Sequence, residues 1–292
     1  MFHVNILTKQ VNYMTELKVP KYDPQFVDAL GVQTAYYEAG NKNGRPVILL
    51  HGMTASADNF RELMAGLADK HWLIAPDIPG FGESGETEPY VIPHLVEWLA
   101  AFRDALELPS AIVLGHSFGG ALATAYAVTY PEDVVGLFLM APAVLVGNYF
   151  PDSVKRMGIA LGLVDLGMAM TNNDVVEQKQ LERAVYDASV YQADGIMDRR
   201  KRNLTLSRAS GDVLKALAFH DDSQKLDQVT VPVYLLWGDS DPVVLTSDSE
   251  QLVEMFPNAT LQILPECGHV IMLEKPVELL SALKEFLERE TE

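Results

Sequence analysis

Ser117 lies in Gly115-His116-Ser117-Phe118-Gly119-Gly120, after the apolar run Ala111-Ile112-Val113-Leu114 and before a helix-like run that reaches Tyr130. This is G-x-S-x-G in the strand–turn–helix setting of a nucleophile elbow, where a sharp turn lifts the serine Oγ clear of a sheet. Glycines two positions to either side remove Cβ atoms where strand and helix crowd together. The helix start behind the serine brings N–H groups and the positive end of a dipole. A serine hydroxyl is a poor nucleophile until a base takes its proton. His269, in Cys267-Gly268-His269-Val270, is the candidate base and afterwards the acid for a leaving group. Asp241, in Gly238-Asp239-Ser240-Asp241-Pro242, is the candidate carboxylate that fixes the imidazole tautomer and stabilises the imidazolium. The chain order Ser…Asp…His is the one expected when a triad is built on such an elbow. A tetrahedral oxyanion also needs N–H donors. The Phe118 N–H, next after the serine, is one candidate, and the Met53 N–H of His51-Gly52-Met53 is the other.

Other residues compete for these roles. Asp239 is the alternative acid, although Gly238 before it suits a turn. His51 and His116 flank the site and read as hydrogen-bonded loop histidines, and Asp77 as a turn anchor. His3, His71, His94 and His220 show no partner pattern. Cys267, the sole cysteine, reads as a small packing residue and excludes both an intrachain disulfide and a cysteine cluster. No H-E-x-x-H or comparable spacing occurs, so no metal is expected. The glycines of the loop at 76–82 lack phosphate-loop spacing, and no nucleotide or other cofactor is expected.

The elements that must hold these residues follow from periodicity. Two extended runs at 26–30 and 32–37 flank Gly31 and predict a hairpin. Val47-Ile48-Leu49-Leu50, and the runs at 72–75, 111–114, 134–140, 231–237 and 261–264, are short and apolar, as strands buried on both faces are. Helical spacing appears at 56–68, 93–108, 121–130, 247–255 and 276–288. In the last, Val277, Leu280, Leu283 and Leu287 are expected to face inward, with Pro276 in the first turn. Alternating strands and helices predict an α/β protein with a mostly parallel sheet, whose functional crevice lies at the carboxyl ends of the strands. The rhythm breaks between 148 and 220, where helical stretches at 153–170, 174–191 and 204–219 predict an inserted helical segment. Its Met157, Met168, Met170 and Met197 either face a ligand or pack the insertion down. Arg199-Arg200-Lys201-Arg202 reads as a solvated helix face.

The net charge of −18 argues against nucleic-acid binding and against anionic membrane surfaces. Residues 1–11 have neither a basic nor a long apolar region, and no apolar run is long enough to span a bilayer. A soluble, cytoplasmic protein without a membrane partner is the expectation. The oligomeric state is not legible.

With HGM at 51–53, DIPGFGES at 77–84, GHSFGG at 115–120, GDSDPV at 238–243 and GHV at 268–270, the sequence resembles the α/β-hydrolase fold superfamily from about residue 26 to 288. The resemblance implies a mostly parallel eight-stranded sheet with helices on both faces, a core at 1–147 and 221–292, and a helical cap at 148–220. It also implies roles by branch. Dehalogenases and epoxide hydrolases of this fold use aspartate where Ser117 stands. Carbon–carbon bond hydrolases of ring-cleavage diketones usually carry Asn and Trp where His116 and Val270 stand. Aminopeptidases often carry Gly-Gly-Ser-Trp. What remains resembles a capped carboxylesterase acting on a small-molecule ester through Ser117. Val243 and Val270, with Met53 and Phe118, are candidates to line a pocket for an uncharged acyl or alcohol group. Acyl transfer or perhydrolysis would use the same residues, and a hormone-receptor-like binding protein would keep the fold without turnover.

Overall fold

A computed structural model describes residues 19–170, 174–193 and 195–291. Eight strands form one sheet: β1 (Gln25–Ala29), β2 (Val32–Gly40), β3 (Pro46–Leu50), β4 (Trp72–Pro76), β5 (Ala111–His116), β6 (Val134–Met140), β7 (Val233–Gly238) and β8 (Ala259–Leu264). Their spatial order is β1-β2-β4-β3-β5-β6-β7-β8. The expected hairpin is the β1–β2 pair, and β2 also runs antiparallel to β4. From β4 to β8 every neighbouring pair is parallel, which requires a crossover between strands and puts helices on the faces. The helices of the main body are α1 (Arg61–Leu67), α2 (Ile92–Ala105) and α3 (Phe118–Thr129). After β6 come α4 (Asp152–Ala160), α5 (Leu163–Met170), α6 (Asp174–Ala184), α7 (Ile196–Thr205) and α8 (Ser210–Phe219). The chain closes with α9 (Thr246–Met255), the single turn α10 (Ile271–Glu274) and α11 (Pro276–Thr291).

Strand alternation sends successive residues to opposite faces. Ile48, Leu50 and Val113 join the core under α2, α3 and α9, while Val47, Leu49 and Leu114 join the core under α1 and α11. The two-sided burial explains why these strands read as continuous apolar runs. In α2, Leu95, Leu99 and Phe102 are buried at helical spacing, with Pro93 in the first turn. In α11 the buried stripe is Leu279, Leu280, Leu283, Phe286 and Leu287, whereas Val277 is 41% exposed, contrary to expectation. Leu280, Leu283 and Leu287 keep their expected inward positions, and Val277 falls in the first turn, ahead of a buried stripe that begins at Leu279.

Between β6 and β7 the described residues contain helices and turns but no strand. The expected stretch at 153–170 is two helices, because the chain turns at Gly162 with φ +68. That at 174–191 ends as a helix at Ala184; Asp187 then accepts the Ser189 N–H at 2.9 Å and sets up a short 3-10 turn instead. The stretch at 204–219 is divided between α7 and α8. The break falls where the Ala209 N–H docks on the Gly80 carbonyl of the main body at 3.2 Å. No helix among the described residues is long and apolar enough to cross a membrane.

Candidate active site

β5 delivers Ser117 and α3 starts immediately after it. Ser117 has φ 54 and ψ −117, a conformation costly for a residue with a Cβ. Its surroundings over-determine it. The Ser117 N–H donates to the Met140 carbonyl at 3.0 Å, and the Ser117 carbonyl accepts the N–H groups of Gly120, Ala121 and Ala143. The helix can approach this closely only because residue 119 is glycine: a Cβ there would lie 2.2 Å from the Leu50 carbonyl oxygen.

Asp241 lies in the loop after β7. Its Oδ1 accepts the N–H groups of Val243 at 2.8 Å and Val244 at 3.0 Å, and its Oδ2 is 2.7 Å from His269 Nδ1. Both side chains are buried. A carboxylate only accepts, so the proton in this contact belongs to Nδ1, and Nε2 of the neutral ring keeps its lone pair. Asp239 is turned elsewhere: its Oδ1 accepts from Ser240 Oγ at 2.8 Å. Cys267 is fully buried, and burial pushes its thiol well above the usual range.

His116 Nε2 contacts the His269 carbonyl at 2.9 Å, which makes that nitrogen the donor. Burial, and then the neighbouring His269, push its pKa down to about 3. His51 is likewise buried and pushed down to about 4. Its Nδ1 donates to the Gly52 carbonyl at 2.8 Å while its Nε2 accepts the Ile78 N–H at 3.0 Å. In a trans peptide the C=O and the following N–H point opposite ways. Pinning the Gly52 carbonyl therefore also sets the direction of the Met53 N–H. Asp77 accepts the N–H groups of Ala57 and Glu83, and burial raises its pKa to about 6. At the elbow, the first N–H groups of α3, Phe118 included, lack acceptors within their own helix.

A cavity of about 810 Å³ has Met53, Ser117 and His269 on its wall, together with the expected Val243 and Val270. Phe118 contributes backbone rather than lining, since its side chain is fully buried in the core. The insertion supplies Leu163, Leu181, Ile196, Leu204 and Leu214 to the same cavity. Met197 follows the packing alternative, whereas Met157 neither lines the cavity nor packs the insertion down. Met157 is 58% exposed, and Met197 packs against Leu181, Val185 and Tyr191; the side chains of Met168 and Met170 lie outside the described residues. The basic cluster is not simply solvated. Arg199 pairs with Glu62 at 2.6 Å, Arg200 donates to Thr54 Oγ1 at 2.8 Å, and both line the cavity. Nothing in the sequence marked this, because Glu62 and Thr54 lie far away along the chain. Glu274, which accepts from Gly268 next to His269, had no motif to mark it. Among the described residues no group of three or more His, Cys, Asp or Glu is arranged to hold a metal ion.

A parallel sheet with an elbow serine at the carboxyl end of its central strand is the architecture of an α/β hydrolase. The family model for the alpha/beta hydrolase fold matches residues 45–276, and the chain belongs to that family. It is 28% identical to the 2-hydroxy-6-oxo-6-(2'-aminophenyl)hexa-2,4-dienoic acid hydrolase of Metapseudomonas resinovorans, over 97% of each chain. It is 27% identical to Lipase 3 of Moraxella sp. (strain TA144), over 88% of this chain and 82% of that one. Among solved structures, the meta-cleavage product hydrolase of Pseudomonas fluorescens IP01 superposes with a TM-score of 0.72 at 26% identity, covering 91% of this chain and 97% of that one.

Proposed function

We propose that this α/β hydrolase cleaves carboxylic esters with small to medium acyl or alcohol groups through an acyl-enzyme on Ser117. The observation that carries the reading is the 2.7 Å contact between buried Asp241 and His269 Nδ1, with His269 and Ser117 on one cavity wall. His269 Nε2 takes the Oγ proton as Ser117 attacks the ester carbonyl. The N–H groups of Met53 and Phe118 stabilise the oxyanion. Collapse breaks the ester C–O bond, and His269 returns the proton to the departing alcohol. Water then attacks the acyl-enzyme with His269 again as base, releasing the acid and restoring Ser117. In this reading residues 148–220 are a cap over a core of 1–147 and 221–292, and the apolar residues of the cap set chain length.

The similarity to the dienoic acid hydrolase over 97% of the chain supports a second reading, carbon–carbon bond hydrolysis of a ring-cleavage diketone. His116 and Val270 stand where that branch usually has Asn and Trp, which favours the ester. The test is turnover of p-nitrophenyl esters of graded acyl length beside one ring-cleavage diketone, with organophosphate labelling of the wild type and of Ser117→Ala. Ester turnover and a label on Ser117, both lost in Ser117→Ala, are expected. Turnover of the diketone alone selects the second reading, and an unlabelled Ser117 with no ester turnover sinks the first.

A further inference from the structure

Asp241 holds the imidazole of His269, but the backbone that carries this ring lies in a loop between β8 and α10. A buried carboxylate holds that loop. Glu274, at the end of α10, is 5% exposed. Its side chain turns back to accept the Gly268 N–H on both oxygens, at 3.0 and 3.1 Å. Its Oε2 also accepts the Tyr186 N–H, at 2.7 Å. Burial pushes its pKa up, and the neighbouring backbone N–H groups, Tyr186 and Gly268 foremost, oppose that shift. The hydrogen-bonded main-body donor is thus the residue just before His269, and the other donor, Tyr186, comes from the chain just after α6. The His269 N–H is itself tied to the Ala184 carbonyl at 2.7 Å. Nothing separates the two segments: a Cβ on Gly268 would lie 2.7 Å from the Ala184 oxygen and 2.7 Å from Val185 Cα.

A buried carboxylate is costly unless charge-assisted hydrogen bonds offset its lost hydration. Had these donors served only to dock the insertion, any residues of the main body would have sufficed. The main-body donor is instead Gly268, the residue immediately before His269. We infer that Glu274 is a positioning residue for His269, fixing the backbone just before the base and joining it to Tyr186 of the insertion. The inference rests on the reading of His269 as the general base. Glu274 does not line the cavity, so its loss removes no direct contact with a bound ester.

Glu274→Gln tests it. The amide keeps one acceptor oxygen but turns an NH2 group toward the remaining N–H donors. A misplaced base of this kind costs on the order of tenfold to a hundredfold in rate. The expected result on a p-nitrophenyl ester is a kcat reduced by that factor with KM within about twofold. Leu99→Ala, a core truncation under the opposite face of the sheet, is the control for destabilisation and keeps its kcat. The second readout needs no turnover: the low-field proton resonance of His269 Nδ1–H, identified by its loss in His269→Gln and retained in Ser117→Ala. In Glu274→Gln it shifts or broadens, and in Leu99→Ala it does not. A folded Glu274→Gln with wild-type kcat and an unmoved resonance overturns the inference. If the ester reading itself fails, the wild type shows no turnover while the resonance still decides the role of Glu274. If Glu274→Gln does not fold, Glu274→Asp, which keeps the charge but falls one methylene short, is read the same way.

Discussion

Asp241, His269 and His116 form a chain of single-tautomer contacts, His51 has its own with Gly52 and Ile78, and each has a measurable consequence. In Asp241→Asn the Oδ1 can still accept from Val243 and Val244, so the loop keeps its shape. The amide NH2 would face His269 Nδ1 and drive the proton to Nε2, the nitrogen that the proposed mechanism needs free to accept from Ser117. A loss in kcat on the order of 10⁴-fold is expected, as for the corresponding change in serine proteases. The melting temperature should move by only a few degrees, and steady-state kinetics beside a thermal melt would show both. His51 and His116 act on stability instead. Their pKa values fall from 6.5 to about 4 and about 3 on folding. Between pH 6.5 and those values the unfolded chain binds protons that the folded chain refuses, so their contribution is complete above 6.5 and lost as pH falls. Asp77 works the other way, since its pKa rises from 3.8 to about 6 and the folded chain gains stability as it takes up that proton. Burial raises the Glu274 and Asp248 carboxyls as well and lowers His71, so the contribution of one histidine is read as a difference between variants. From pH 6.5 to 4.5 the melting temperature of His116→Asn should fall less, or rise more, than that of the wild type. An equal slope in that variant would show that His116 is not a buried neutral ring.

At the scale of elements, the nucleophile elbow and the insertion helices differ in how tightly they constrain their residues. A methyl group on Gly119 would lie 2.2 Å from the Leu50 oxygen and 2.6 Å from the His51 oxygen, so strand β3 and helix α3 would have to separate. Gly119→Ala should cost more than about 3 kcal/mol or prevent folding. Gly158 in α4 has nothing within 4 Å of its Cβ position. Gly158→Ala should raise stability by about 0.5–1 kcal/mol through helix propensity alone. Denaturant titration of the two variants tests both, and a neutral Gly119→Ala would mean that the elbow is looser than drawn. The same contrast governs what the sequence makes legible. The elbow glycines, the doubly buried strands and the paired Asp and His loops are local patterns with one structural solution each. The insertion helices have weaker periodicity, and their ends are set by distant partners. α7 and α8 are separated where Ala209 meets Gly80, and α6 stops where residues 184–187 meet the base loop, contacts that no local window contains. Glu274 carries no mark for the same reason: its donor Tyr186 is far away along the chain. Val277 shows the limit of spacing even in a regular helix: Leu280, Leu283 and Leu287 are buried at the expected spacing, but Val277, in the first turn, is left outside the core.

For the molecule as a whole, the cavity belongs to neither the sheet nor the insertion alone. The main body contributes Ser117 and His269 with the apolar Met53, Val243 and Val270, and the insertion adds a further apolar stretch of wall. Two of its anchors fall on the loops that carry the proposed chemistry: Arg200 on Thr54, beside the proposed oxyanion donor, and Ala184 on His269 itself. Acyl-chain length should then be set from the insertion while the acyl-transfer chemistry stays with the strand ends, and the two should be separable by mutation. Leu204 lies on α7 and lines the cavity without contacting Ser117, Asp241 or His269 in any hydrogen bond of the site. Leu204→Trp fills part of the cavity from the insertion side. If the larger ring denies two methylenes of a long acyl chain their burial, at about 0.8 kcal/mol each, kcat/KM for an octanoyl ester should fall about 15-fold. An acetyl ester does not reach that far, and its kcat/KM should stay within about twofold of the wild type. The ratio of the two rates cancels errors in enzyme concentration and any uniform loss of folded protein. An unchanged ratio would place the acyl chain elsewhere, along the Val243 and Val270 side of the cavity, and assign chain-length selection to the main body.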